Sequence, residues 1–137
     1  MLIERWEQTN AKLAALAEEF PAEKYESAPV TGIRTFGDVL RHVAFWNQYV
    51  ADTARGKKAD DSTNELPKSQ YATKSKVMGA LTKSTADATA ALREHSAGLD
   101  LEKSGLAESF IEHVCEHYGQ LVVYTRWAGS VPPASRG

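Results

Sequence analysis

Apolar residues recur along this chain at helical spacing and almost nowhere in strict alternation. Leu2, Trp6, Leu13, Leu16, Ala17 and Phe20 fall on one stripe at 3.6 residues per turn, predicting a helix from about Leu2 to Glu19 that Pro21 ends. A loop with Pro29 and Gly32 follows. Thr35 is a good N-cap for a second helix, and Asp38 in its first turn suits the helix dipole. Phe36, Val39, Leu40, Val43, Trp46 and Val50 carry that helix to about Arg55, where Gly56 closes it. Residues 57–72 are polar and include Pro67, which suits a long crossover or surface loop. A third helix is predicted from about Thr73 to Ala97, with Val77, Leu81, Ala88 and Leu92 as its buried stripe and Gly98 at its end. A fourth is predicted from about Leu106 to Ala128, ended by Gly129 and Val131-Pro132-Pro133. Four helices with one apolar face each predict an all-α four-helix bundle, a single domain over residues 1–137. The long loop between helices two and three lets those two run parallel, whereas the short link from three to four suits an antiparallel pair.

Composition narrows the function classes. At 137 residues the chain can bury an adequate core without disulfides or structural metal. A net charge of −2 leaves no basic footprint for nucleic acid. No apolar run approaches the roughly 20 residues that span a bilayer. The start Met1-Leu2-Ile3-Glu4-Arg5-Trp6 lacks the character of a signal peptide, and the single cysteine fits a reducing compartment, so the expected location is cytoplasmic.

The strongest chemical signal is His113-Val114-Cys115-Glu116-His117. Histidines at i and i+4 share one helix face one turn apart, and two such imidazoles can chelate one ion. A third ligand must come from elsewhere, and the chain has two other histidines. His42 lies between Val39, Val43 and Trp46, near the core stripe, about as deep in its helix as His113 is in the fourth. His95 follows Leu92 on an apolar stripe but sits in the last turn beside Ser96 and Gly98, the position of a surface or C-terminal histidine. Taken alone, the pair also fits two unrelated core or boundary histidines.

Two metal patterns fail on composition. His113-Glu116-His117 matches the inverted zinc-peptidase order, but that needs a carboxylate ligand well downstream, and none of the twenty residues after His117 is acidic. A di-iron carboxylate bundle needs Glu-x-x-His on two helices; the residues three before the four histidines are Val39, Leu92, Phe110 and Val114.

The run Arg34-Thr35-Phe36-Gly37-Asp38-Val39-Leu40-Arg41-His42-Val43-Ala44-Phe45-Trp46-Asn47 resembles the second-helix signature of DinB-like proteins. The His113–His117 pair on the fourth helix, and the ending from Tyr124 to Arg136, are similar to that family in order and spacing. Helices one and three match in character only. The resemblance implies an up-down-down-up bundle holding one divalent ion, zinc, nickel or iron, on three histidines: His42, His113 and His117. Three neutral nitrogens leave the coordination sphere open, as catalytic sites do. Characterised relatives include transferases and isomerases that use a low-molecular-weight thiol (bacillithiol, mycothiol or glutathione), the ion keeping it as a nucleophilic thiolate. A metal-dependent, thiol-dependent transferase or isomerase is therefore the expected function. The alternative is a non-catalytic, stress-associated metal-binding protein, as the family's damage-inducible name suggests.

Other residues gain candidate roles from position. Gln120 and Tyr124 share the side of His117 and either line a pocket or pack at the rim; Trp46 and Tyr49 flank His42 with the same two readings. Glu116 is either an acceptor supporting a ligand or a solvated carboxylate. Cys115 lies about 200° around the helix from each flanking histidine, in line with Ile111, Tyr118 and Val122, which predicts packing in the core or at a subunit interface. That second stripe, beside Phe110-Val114-Leu121, together with the frequent dimerisation of relatives, predicts a homodimer.

Overall fold

Thr35 starts the second helix with a reciprocal cap. Its hydroxyl accepts from the Asp38 amide at 3.1 Å while the Asp38 carboxylate faces the Thr35 amide. Gly56 ends the helix in a left-handed conformation (φ 72°), where the amides of Gly56 and Lys57 reach back to the carbonyls of Thr53 and Asp52. Gly129 (φ 90°) closes the last helix the same way, with Ser130 bonded to Thr125.

The computed structural model describes residues 2–94 and 101–137. Helix α1 spans Leu2–Glu19, α2 Phe36–Ala54, α3 Lys74–Arg93 and α4 Leu101–Trp127, with short 3₁₀ turns at Ala22–Lys24 and Pro133–Ser135. No strand occurs among the described residues, and no helix there is long and apolar enough to cross a membrane. The bounds of α1 and α2 follow their stripes and caps. Helix α4 begins five residues before the expected Leu106, because the exposed Gly105 continues the helix instead of breaking it. Helix α3 reaches Arg93 with Glu94 as its cap. The expected continuation to Ala97 and Gly98, and with it His95, lies outside the described residues.

Side-chain bonds set the direction of each helix. Arg41 meets the Tyr71 carbonyl, Asn47 meets Thr85, and Arg55 meets Glu94, so α2 and α3 run parallel and residues 57–72 cross the length of the bundle between them. Trp6 donates to Thr89 while Lys74 caps the carbonyls of Glu18 and Phe20, so α1 opposes α3. Phe36 lies against Tyr124 and Trp46 against Phe110, so α2 opposes α4. The fold is up-down-down-up.

The core has two ends. At one, Phe20 and Phe36 stack with ring centres 3.7 Å apart, enclosed by Tyr25, Leu40, Leu81 and Tyr124. At the other, Trp6 fills a space framed by Ala51, Ala54, Ala88, Ala91 and Ala107, whose small side chains let the helices close on the indole. At the first of these ends, Arg41 of α2 is buried and binds Glu26, Asp38 and the Tyr71 carbonyl. It thereby ties both long loops to the helix that carries His42. A Cβ on the neighbouring Gly37 would stand 2.9 Å from the Glu26 carboxylate and 3.1 Å from the Tyr25 carbonyl, so this ion pair needs a glycine beside it.

Candidate metal centre

Antiparallel packing of α2 on α4 brings His42 opposite the His113–His117 pair. One nitrogen from each of the three rings lies within 4.8 Å of the others, and no further group of three histidine, cysteine or acidic ligand atoms is found among the described residues. The Nε2 atoms of His42 and His113 are 3.0 Å apart. Two metal–nitrogen bonds of about 2.0–2.1 Å at a tetrahedral angle hold their nitrogens about 3.3 Å apart, so the observed spacing suits a shared ion.

Hydrogen bonds decide which nitrogen of each ring is available. His42 Nδ1 is 2.6 Å from the Asn64 carbonyl, which only accepts; the proton is therefore on Nδ1, and Nε2 carries the lone pair. The tautomer of His117 is set from further away. The Tyr124 hydroxyl donates to the Arg34 carbonyl at 2.6 Å and accepts from Gln120 Nε2 at 3.1 Å. This turns Gln120 Oε1 toward His117 Nδ1, 2.9 Å away, so that ring also donates through Nδ1 and leaves Nε2 free. His113 Nδ1 is buried with no protein partner.

Electrostatics favour the neutral ligand form. Burial pushes His42 down to about 4, against the Asn64 hydrogen bond, with Arg34 and His117 adding to the depression. Burial likewise pushes His113 down to about 3, helped by His117, His42 and Arg34. Both rings are uncharged at neutral pH, as metal ligation requires.

The crossover loop completes the site. Asn64 serves His42 with its carbonyl and the Trp46 indole with its side chain (2.9 Å), while the Leu66 amide bonds the Arg41 carbonyl. Glu65 pairs with Arg34 at 3.4 Å. A cleft of about 390 Å³ opens beside the rings, lined by His42, Trp46, Asn64, Ser109, Phe110 and His113.

The expected pocket residues divide. Gln120 and Tyr124 form the relay behind His117. Trp46 lines the cleft, and Tyr49 stands behind it, in ring contact with Trp46 and Phe110. Glu116 is exposed and takes no part in the bonds to the three rings; Asn64 and Gln120 act there instead. Cys115 is exposed, which overturns packing in the core. The rest of its stripe, Ile111, Tyr118 and Val122, is half-buried and packs against the core margin. Asn64 was not foreseeable from residue type, since it supports His42 through its main chain from a polar loop. Phe110 was visible as an apolar stripe residue, though not as a cleft wall.

A sequence model of the DinB superfamily matches residues 5–121, a span that includes all three histidines. No curated protein matches the chain.

Proposed function

The chain belongs to the DinB superfamily, and from that membership and its three convergent imidazoles we propose that it binds one divalent metal ion through His42, His113 and His117 and acts as a metal-dependent, thiol-dependent transferase or isomerase. The observation that carries the reading is the paired tautomer control: Asn64 and the Gln120–Tyr124 relay leave Nε2 of His42 and His117 unprotonated within one cluster. Such support at Nδ1, leaving Nε2 free toward the same point, is the arrangement common behind metal-ligating histidines.

When bound, the ion supplies an open coordination position that acidifies a thiol or polarises an oxygen. The protein's own residues supply the rest. His42 and His113 remain neutral, Asn64 and Gln120 hold two rings in register, and Trp46 and Phe110 give the adjoining cleft an aromatic lining. The proposal extends to a cytoplasmic homodimer, since the exposed Val123 and Trp127 continue the apolar character of α4 beyond what the bundle covers.

Elemental analysis of untagged protein, followed by thiol-dependent consumption of a generic electrophile, tests the reading. About one divalent ion per chain and turnover that His113→Ala abolishes are expected. Metal without turnover would leave a non-catalytic, stress-associated metal-binding protein; absence of metal would remove both.

A further inference from the structure

Three aromatic rings stand beside the histidines at the margin of the core. Trp46 and Phe110 lie with ring centres 6.1 Å apart and planes at 27°, and Tyr49 backs both at 5.0 and 5.8 Å. The wall is held in place: the Trp46 indole N–H is bound to Asn64 Oδ1, and the same residue fixes His42. Each end of the wall adjoins a candidate ligand, Trp46 at 6.5 Å from the His42 ring and Phe110 at 5.6 Å from that of His113. The cleft is large enough for a small organic group, and no acidic residue, lysine or arginine is among its lining residues. The nearby guanidinium of Arg34 already faces the Glu65 carboxylate.

We infer that this cleft is a subsite for an uncharged aromatic group, carried on a short linker by the atom that approaches the three histidines. This rests on the metal-centre reading above and adds to it the class of molecule that the site takes. Trp46 and Phe110 are then specificity residues: both line the cleft and offer aromatic surface to its occupant, and no charged side chain lines it to partner an ionic group. Ser109 and the Asn64 side chain supply the polar edge of the cleft.

The test uses the full chain loaded with cobalt(II), whose absorbance reports a sulfur ligand. Three thiols are compared: phenylmethanethiol, ethanethiol and 2-mercaptoethanesulfonate. The aryl thiol is expected to bind at least about tenfold more tightly than the other two, from ring burial and stacking. Phe110→Leu keeps an apolar side chain but removes the ring, and it should narrow the preference to about threefold or less, with each variant's thiol affinities compared at full cobalt loading. Equal binding of aryl and alkyl thiols, tighter binding of the sulfonate, or a preference untouched by Phe110→Leu would overturn the inference. Failure to take up cobalt would instead refute the metal reading. The subsite is then read on the metal-free chain with benzyl alcohol, through the Trp46 indole N–H resonance: a saturable shift supports it, and no shift overturns it.

Discussion

His42 Nε2 faces His113 Nε2 at 3.0 Å, and only one of the two can be the donor. The Asn64 carbonyl keeps the His42 proton on Nδ1, so His113 donates through Nε2, and its buried Nδ1 becomes an acceptor without a protein partner. An ion between the rings reverses this: His113 must then carry its proton on Nδ1. Nitrogen-15 spectra should accordingly show His113 changing tautomer on zinc addition, while His42 and His117 keep theirs. Three unchanged tautomers would contradict the assignment of His113 as a ligand.

Alanine at His42, His113 or His117 should abolish stoichiometric metal, and His95→Ala should leave it intact. Elemental analysis after dialysis reads the result. Loss of metal in His95→Ala with retention in His42→Ala would reassign the third ligand.

Supports behind the ligands should matter less than the ligands, though measurably. Tyr124→Phe removes the hydroxyl that orients Gln120, and Gln120→Ala removes the acceptor of His117 Nδ1. Each should weaken metal affinity by about 10–100-fold, measured by competition with a chromogenic chelator. Glu116→Gln should have little effect, since that carboxylate is exposed and away from the three rings' hydrogen bonds.

The metal-free fold should lose stability on mild acidification. His42 and His113 are held at about 4 and 3, below the ordinary histidine value of about 6.5. Below that value the unfolded chain binds protons that the folded chain refuses, so the stabilisation is complete above about pH 6.5 and is lost as pH falls toward 4 and then 3. By pH 5 the loss should be about 1–2 kcal/mol per ring, seen as a lower urea midpoint. Glu26 and Asp38 do not confound this window. Burial alone would raise them, but their bonds to Arg41 hold both below the usual carboxylate range, so their contribution fades only at lower pH. His42→Leu should flatten the pH 5–6.5 slope.

Arg41→Ala should cost about 2–3 kcal/mol, because it removes a buried guanidinium and leaves Asp38 without its partner, while Glu26 keeps Lys68 and both carboxylates reach solvent. Thermal unfolding should show the loss, with a smaller change for Arg55→Ala, whose partners Asp87 and Glu94 are more exposed.

Helix existence, room for a parallel crossover and the His113–His117 pair were legible in the sequence because each rests on local chemistry, whereas His42 joined them as third ligand only through the family resemblance. Thr35 and Gly56 are caps, residues 57–72 lack apolar period, and i, i+4 spacing aligns two rings. What escaped depends on partners distant in sequence. Residues 101–105 extend α4 ahead of its apolar stripe, through polar residues and an exposed Gly105. Cys115 is exposed although Ile111, Tyr118 and Val122 in the same row still pack against the core margin. Asn64 contributes a carbonyl, which every residue possesses, so only the docked crossover reveals its role.

The crossover also gives the site a place in time. His42 and His113 are 71 residues apart, and the Asn64 bond to His42 exists only once the crossover has docked on α2. Isolated helices form fast and locally, whereas contacts this distant in sequence come late because the intervening chain must first be ordered. Metal capture by the refolding chain would therefore lag behind helix formation, making it a clock for tertiary assembly.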